Sequence, residues 1–188
     1  YPLFVMLSHD FKNYAIVTAT GIGKYTGYLS QKFTLDGIAI DSFTAKLSFS
    51  KATYTGSAIK PTVTLTNTNG TKLKEFTDYK VSYKNNTAIG KATVTITGLG
   101  KYTSSIKKTF TIVAADISSA TAKTEFERYD YTGAAITPTV KVTFNSTELQ
   151  EGVDYTLAFS SNTEIGRGLV TITGIGNFSV TLTTDFDI

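Results

Sequence analysis

The sequence predicts an all-β chain built from tandem small antiparallel β-sandwiches arranged as an extended rod. Three observations carry that expectation. The first is composition: hydrophobic residues make up 41% and charged residues 18%, a globular balance, and threonine, which fits a pleated, half-buried surface, is abundant. The second is period: apolar residues alternate two by two, and no stretch keeps a helical spacing over 10–15 residues. The third is recurrence, because one set of landmarks returns in fixed order along the chain.

The recurrence is clearest at TGIGKYTG (20–27), which returns as TGLGKYTS (97–104) and TGIGNFSV (173–180). The step is 77 residues from Gly21 to Gly98 and 76 from Gly98 to Gly174. Tyr54-Thr55-Gly56 matches Tyr131-Thr132-Gly133, Pro61 matches Pro138, and Asp78-Tyr79 matches Asp154-Tyr155. NNTAIG (85–90) likewise matches SNTEIG (161–166), and one deletion between Thr64 and Asp154 accounts for the shorter second step. Two full units follow, 36–112 and 113–188. Residues 1–35 align with only the second half of a unit, with Pro2, Phe4 and Met6 opposite Tyr79, Val81 and Tyr83 and with Phe33 and Leu35 opposite Phe110 and Ile112. That piece reads as the tail of a third unit, whose front half lies upstream or is replaced by strands from elsewhere.

Within a unit, each strand shows one apolar face. Ala92, Val94 and Ile96 alternate with threonines. Val63 and Leu65 point inward, as do Val140, Val142 and Phe144 in the next unit. Tyr79, Val81 and Tyr83 form a third strand, matched by Tyr155, Leu157 and Phe159. The closing strand places Ile106, Lys108, Phe110 and Ile112 on one side, matched by Leu182, Thr184, Phe186 and Ile188. Phe49 and Phe126 are expected to open the two cores, and Ile40 and Ile117 to begin the first strand after each junction. Short strands punctuated by turns every 8–12 residues predict a small sandwich. The junctions at 36–45 and 113–122 lack a Pro/Gly/Ser tract, so the joints are expected to be short and stiff.

Several function classes drop out. Net charge is +3, from 18 basic and 15 acidic residues scattered along the chain, where a nucleic-acid binder would concentrate its positive charge. No apolar run approaches the ~18 residues of a membrane span. With no cysteine there is no disulfide, thiolate zinc site or thiol catalysis. His9 is the single histidine, so neither a catalytic triad nor a zinc site is expected around it. TGIGKYTG has the glycines, lysine and hydroxyl of a phosphate loop, but a cradle needs a helix after the loop. All three versions lead into a strand, so the glycines are read as turn formers.

Taken together, YTGxxIxPxV, DYxVxYxNN, IGxxxVTITGxGxY and FTI resemble the immunoglobulin-like repeats found in tandem in large secreted and wall-attached proteins of Gram-positive bacteria. The resemblance covers nearly the whole chain, with YPLFVMLSHDFKN standing where DYxVxYxNNxxxG is expected. It implies a non-catalytic extracellular module, at the cell surface or secreted, acting as a stalk, spacer or adhesion domain. The alternative is a carbohydrate- or cell-wall-binding module attached to a larger secreted enzyme. Catalytic residues, cofactors and metals are not expected. Partners would be cell-wall or host glycans, surface proteins, or neighbouring repeats of the same chain.

The residues weighed for contact with a ligand are Tyr25, Tyr102 and Phe178, the aromatics after each Gly-x-Gly, because aromatic faces stack on sugar rings. The competing reading makes each of them a lid on its own core. Asp78 and Asp154 recur before an inward tyrosine and are expected to cap turns. Asp36, Asp41 and Asp116 are junction carboxylates that could contribute to a calcium site, but no DxDxDG run accompanies them. Lys108 is the candidate for an intramolecular isopeptide bond, which would need it buried. Asn69-Gly70 reads as a hairpin turn, and Asn69, Asn85, Asn145 and Asn177 head sequons.

Overall fold

The computed structural model describes residues 4–10, 14–34 and 36–188, with the side chains of 4–10 and 14 outside the description. The expected placements of Pro2 and Leu35 therefore lie outside the described residues. The fold is all-β, with no α-helix among the described residues. Its small sheets are compatible with a β-sandwich.

The first strands are β1 (Phe4–Asp10), β2 (Tyr14–Thr20) and β3 (Tyr28–Thr34), an antiparallel meander in the order β1-β2-β3. Next come β4 (Ile38–Ala39), β5 (Thr44–Leu47), β6 (Lys51–Thr53), β7 (Val63–Thr66), β8 (Tyr79–Lys84), β9 (Gly90–Gly98), β10 (Tyr102–Thr103) and β11 (Ser105–Val113). The last series is β12 (Ala115–Asp116), β13 (Thr121–Thr124), β14 (Val140–Phe144), β15 (Thr147–Glu148), β16 (Tyr155–Ser160), β17 (Arg167–Gly174), β18 (Phe178–Ser179) and β19 (Thr181–Asp187). Sheets form in the orders β6-β11-β9-β8, β13-β14-β15 and β16-β17-β19, with β5-β7, β4-β10 and β12-β18 as two-stranded pairs.

Two compact units are present, neither contiguous in sequence. One holds Tyr1–Thr44, Thr66–Lys80 and Ile96–Ile106, the other Ala45–Leu65, Val81–Thr95 and Lys107–Ile188. In the second, Ile117, Val142, Val170 and Ile172 are fully buried and Phe186 nearly so. Two layers close around them, β13-β14-β15 and β16-β17-β19, because each strand turns alternate side chains to one face. In the first unit the meander keeps β3 exposed along all seven residues, while Ala15 on β2 is buried.

Residues that recur in the sequence make the same local bonds. The Asp78 carboxylate accepts the Lys74 N–H at 2.8 Å, and the Asp154 carboxylate accepts the Gln150 N–H at 3.0 Å, the capping role assigned to them. Asn86 Nδ2 donates to the Ile59 carbonyl at 2.9 Å while the Ile59 N–H donates to the Asn86 carbonyl at 2.8 Å. Asn162 and Ile136 repeat that pair at 2.9 and 2.8 Å. Each asparagine thus holds a distant loop at both polar groups of one residue.

Three expectations need correction. Ile40 and Ile117 begin short 3₁₀ turns, Ile40–Ser42 and Ile117–Ser119, rather than strands. The Asp116 carboxylate accepts the Ser118 N–H at 2.8 Å and so favours the turn after β12. Phe126 is 58% exposed instead of opening the core; its ring lies edge-on to Tyr129, which is the residue that covers Phe186. Lys108 is exposed despite its parity, which removes the burial an isopeptide bond requires.

The hairpin between β14 and β15 and the turn at Asn69-Gly70 differ in detail. Asn145 and Ser146 both take positive φ, 47° and 65°. Gly70 does so at 81°, and Asn67 organises its turn by accepting the N–H groups of Asn69 and Thr71 on its side chain.

Candidate functional site

The three Gly-x-Gly turns are built alike. The first glycine donates its N–H across the loop, from Gly21 to Gly27 O at 3.0 Å, Gly98 to Ser104 O at 3.1 Å and Gly174 to Val180 O at 2.9 Å. A side chain there would strike backbone: a Cβ on Gly98 would lie 2.7 Å from the Tyr102 carbonyl carbon, and one on Gly174 2.8 Å from the Ser179 nitrogen. The second glycine has positive φ, 75° at Gly23 and 61° at both Gly100 and Gly176. The two glycines therefore have separate backbone jobs, close approach and handedness, and neither is used to admit a phosphate.

The turn closes on a third positive-φ residue: Gly27 at 101°, Ser104 at 69° and Val180 at 67°. A β-branched residue in that conformation is strained. Because Val180 is 58% exposed, its side chain returns little burial for the strain. Val180→Gly is expected to stabilise the fold by about 0.5–1 kcal/mol, the left-handed penalty less the added chain entropy of glycine. An upward shift of the urea midpoint at unchanged slope checks it.

The aromatics that follow these glycines occupy three different environments. Tyr25 is 72% exposed. Tyr102 is half-buried, edge-on to Phe43 at 5.9 Å between ring centroids, with Lys101 Nζ 5.3 Å from its own ring centre. Phe178 is 4% exposed, enclosed by Phe144 at 5.0 Å and Tyr54 at 5.5 Å. Phe178 therefore drops out as a ligand contact: its faces are spent on core rings. Tyr25 and Tyr102 belong to the first unit and Phe178 to the second.

Sequence reasoning missed what these aromatics do for the backbone. Tyr102 pairs with Ile38 in the parallel β4-β10 ladder, and Phe178 pairs with Ala115 in β12-β18. The turn is also tied to the capped aspartate, since the Leu99 N–H donates to Asp78 O and the Ile175 N–H to Asp154 O, both at 2.8 Å. The two-residue strands Ile38–Ala39 and Ala115–Asp116 are too short to leave a period-2 signal, so no local pattern could have revealed the pairing.

A polar cleft on the second unit is lined by Lys123, Glu127, Arg167, Thr184, Asp185 and Asp187 among others. Within it Arg167 pairs with Asp185, and Arg128 lies 3.8 Å from Asp187 at the exposed rim. Neither cleft nor turns assemble a nucleophile with a base. Among the described residues no group of three or more His, Asp or Glu side chains gathers for a metal ion. The Asp116 carboxyl sits below its ordinary range, held there by its hydrogen bonds with Ser118. The Tyr155 hydroxyl donates to Val140 O at 3.4 Å and is pushed up by burial, then by Glu151, Glu148 and Asp154. A phenol kept neutral in that way is a core hydrogen-bond donor rather than a nucleophile. His9 lies on β1, opposite Ala15.

A set of contacts joins residues of the 36–112 stretch to residues of 113–188 within the second unit. The Tyr54 ring meets Phe178, Asn145 Nδ2 donates to Thr55 O at 3.3 Å, and the Ile89 N–H donates to Asn177 Oδ1 at 3.0 Å. Two of the sequon asparagines thus serve as hydrogen-bonding partners at this junction. Comparison with family models, curated proteins and solved structures finds no match to any of them.

Proposed function

We propose that the chain is a non-catalytic stalk or spacer segment: immunoglobulin-like modules in tandem, in a surface-attached or secreted bacterial protein. The observation that carries this reading is the junction of Tyr54, Thr55 and Ile89 with Phe178, Asn145 and Asn177. One aromatic contact and two hydrogen bonds span successive sequence repeats where a flexible linker would make none. A segment that holds its neighbours in fixed orientation suits a load-bearing or spacing role, which needs geometry rather than chemistry.

Small-angle scattering tests it. An elongated profile, with a maximum dimension well beyond that of a compact 188-residue globule, is expected. Tyr54→Ala should broaden the distribution of shapes by loosening the junction. A compact globular profile for the unaltered chain would overturn the reading. Glycan or cell-wall binding is the second reading, favoured by the exposed ring of Tyr25 and by the Lys101–Tyr102 pair. It requires retention on cell-wall material that weakens when Tyr25 or Tyr102 becomes alanine.

A further inference from the structure

Two turns, one in each unit, are bonded alike. In the first, the Phe76 N–H donates to Tyr79 O at 2.7 Å and the Asp78 N–H to Lys74 O at 2.8 Å. In the second, the Gly152 N–H donates to Tyr155 O and the Asp154 N–H to Gln150 O, both at 2.8 Å. Both turns place a positive φ at the same point, 68° at Phe76 and 79° at Gly152. Glycine takes that conformation freely, whereas a residue with a ring takes it under strain. Phe76 recovers nothing through burial, for it is 84% exposed. A strained backbone and a bare aromatic ring are separate costs at one residue, and neither serves the packing of its own unit.

The charges around the two turns differ as well. Residues 72–80 carry Lys72, Lys74 and Lys80 against Glu75 and Asp78, a net +1. Residues 148–156 carry Glu148, Glu151 and Asp154 with no basic residue, a net −3. The adjoining Gly-x-Gly turn, tied on by the bond from the Leu99 N–H to Asp78 O, adds Lys101 where the later one has Asn177. All four lysines are exposed. Glu75 and Asp78 are half-buried, and the Asp78 carboxylate is turned onto the Lys74 N–H. Outward, then, the Phe76 turn shows an apolar tip flanked by ammonium groups.

We propose that this turn docks on an anionic lipid surface, with Phe76 as the inserting side chain. A bilayer interface sets negative headgroups over hydrocarbon, the layering that a bare ring flanked by lysines matches. The residue types favour lipid over a protein partner. Protein interfaces are depleted in lysine and use Trp, Tyr and Arg as anchors. This surface has four exposed lysines, no arginine and, at its tip, a ring without a polar atom. Lysine is a compact point charge without the planar fork that reads one fixed carboxylate, so it suits a diffuse anionic surface. A soluble polyanion would use the lysines but leave the ring in water. Such docking neither requires nor excludes a stalk.

Co-sedimentation of the full chain with vesicles tests it. Binding to mixed phosphatidylglycerol–phosphatidylcholine vesicles is expected, falling at least about fivefold on pure phosphatidylcholine. Phe76→Gly gives the first turn the residue of the second. It should raise the urea midpoint while cutting vesicle binding at least about fivefold, and these opposite signs separate lost docking from lost folding. Lys72→Gln combined with Lys74→Gln should weaken binding on the order of twentyfold, about fivefold per charge. The chain has no tryptophan, so Phe76→Trp supplies a single reporter whose emission should shift to the blue on anionic vesicles. No binding to anionic vesicles would overturn the proposal. So would binding that survives Phe76→Gly, the mark of a purely ionic site for polyanions. A urea midpoint that falls on Phe76→Gly would overturn it too, by showing the ring packed against its own unit. Self-association abolished by Phe76→Gly, with no vesicle binding, would overturn it by assigning the ring to a second copy of the chain.

Discussion

Replacing Phe178 by alanine is expected to destabilise the fold by about 3–5 kcal/mol, the cost of emptying a phenylalanine site inside a core. The ring is 4% exposed and sits edge-on between Phe144 and Tyr54. Its removal opens a cavity against Phe144 and takes away the surface on which Tyr54 rests. Tyr25→Ala, at the same slot of the sequence pattern, should change stability by less than about 0.5 kcal/mol, because Tyr25 is 72% exposed. Urea unfolding of both variants, followed by far-ultraviolet circular dichroism, makes the comparison. A loss below about 1 kcal/mol for Phe178→Ala would show that the ring is not a core element.

Asn86→Asp is expected to cost about 3–5 kcal/mol at neutral pH, the range for a buried charge left without a partner. Asn86 is 9% exposed, and its side-chain amide donates to the Ile59 carbonyl. A carboxylate in its place sets oxygen against oxygen and loses solvation besides. The pH dependence has a definite sign. Burial and the facing carbonyl raise the folded pKa of the new carboxyl above its unfolded value, so the folded state binds the proton more tightly. The variant is therefore least impaired below about pH 4, where a protonated carboxyl can donate to Ile59 O, and the loss grows as pH rises through the folded pKa. Asn86→Ala, which leaves the carbonyl unpaired without adding charge, should cost a pH-independent ~1–3 kcal/mol. Equal losses for Asp at pH 4 and pH 7 would contradict the assigned bond.

Much of the fold was legible because a strand announces itself by a period of two. Val63, Leu65, Val140, Val142, Val94 and Ile96 are all buried, and each was placed inward by alternation alone. Alternation failed at some positions. Lys108 and Phe126 have inward parity yet stand in water, because parity assigns a face and cannot say how far the opposing layer extends. Ile40 and Ile117 were read as the first residues of strands and not as 3₁₀ turns, since a three-residue element carries no period.

The candidate site was legible as a motif and not as an environment. Gly-x-Gly followed by an aromatic could be read three times, along with the turn that the glycines require. By itself the sequence determined the all-β class, the repeating order of its landmarks, the backbone role of the glycines and the capping role of Asp78 and Asp154. All of these follow from interactions within one strand or one turn, where neighbours in sequence are neighbours in space. Only the tertiary structure decided that Phe178 is enclosed while Tyr25 is bare, and that Tyr54 reaches the next stretch. Those outcomes depend on which distant segment arrives over each face, and an identical local pattern is silent on that.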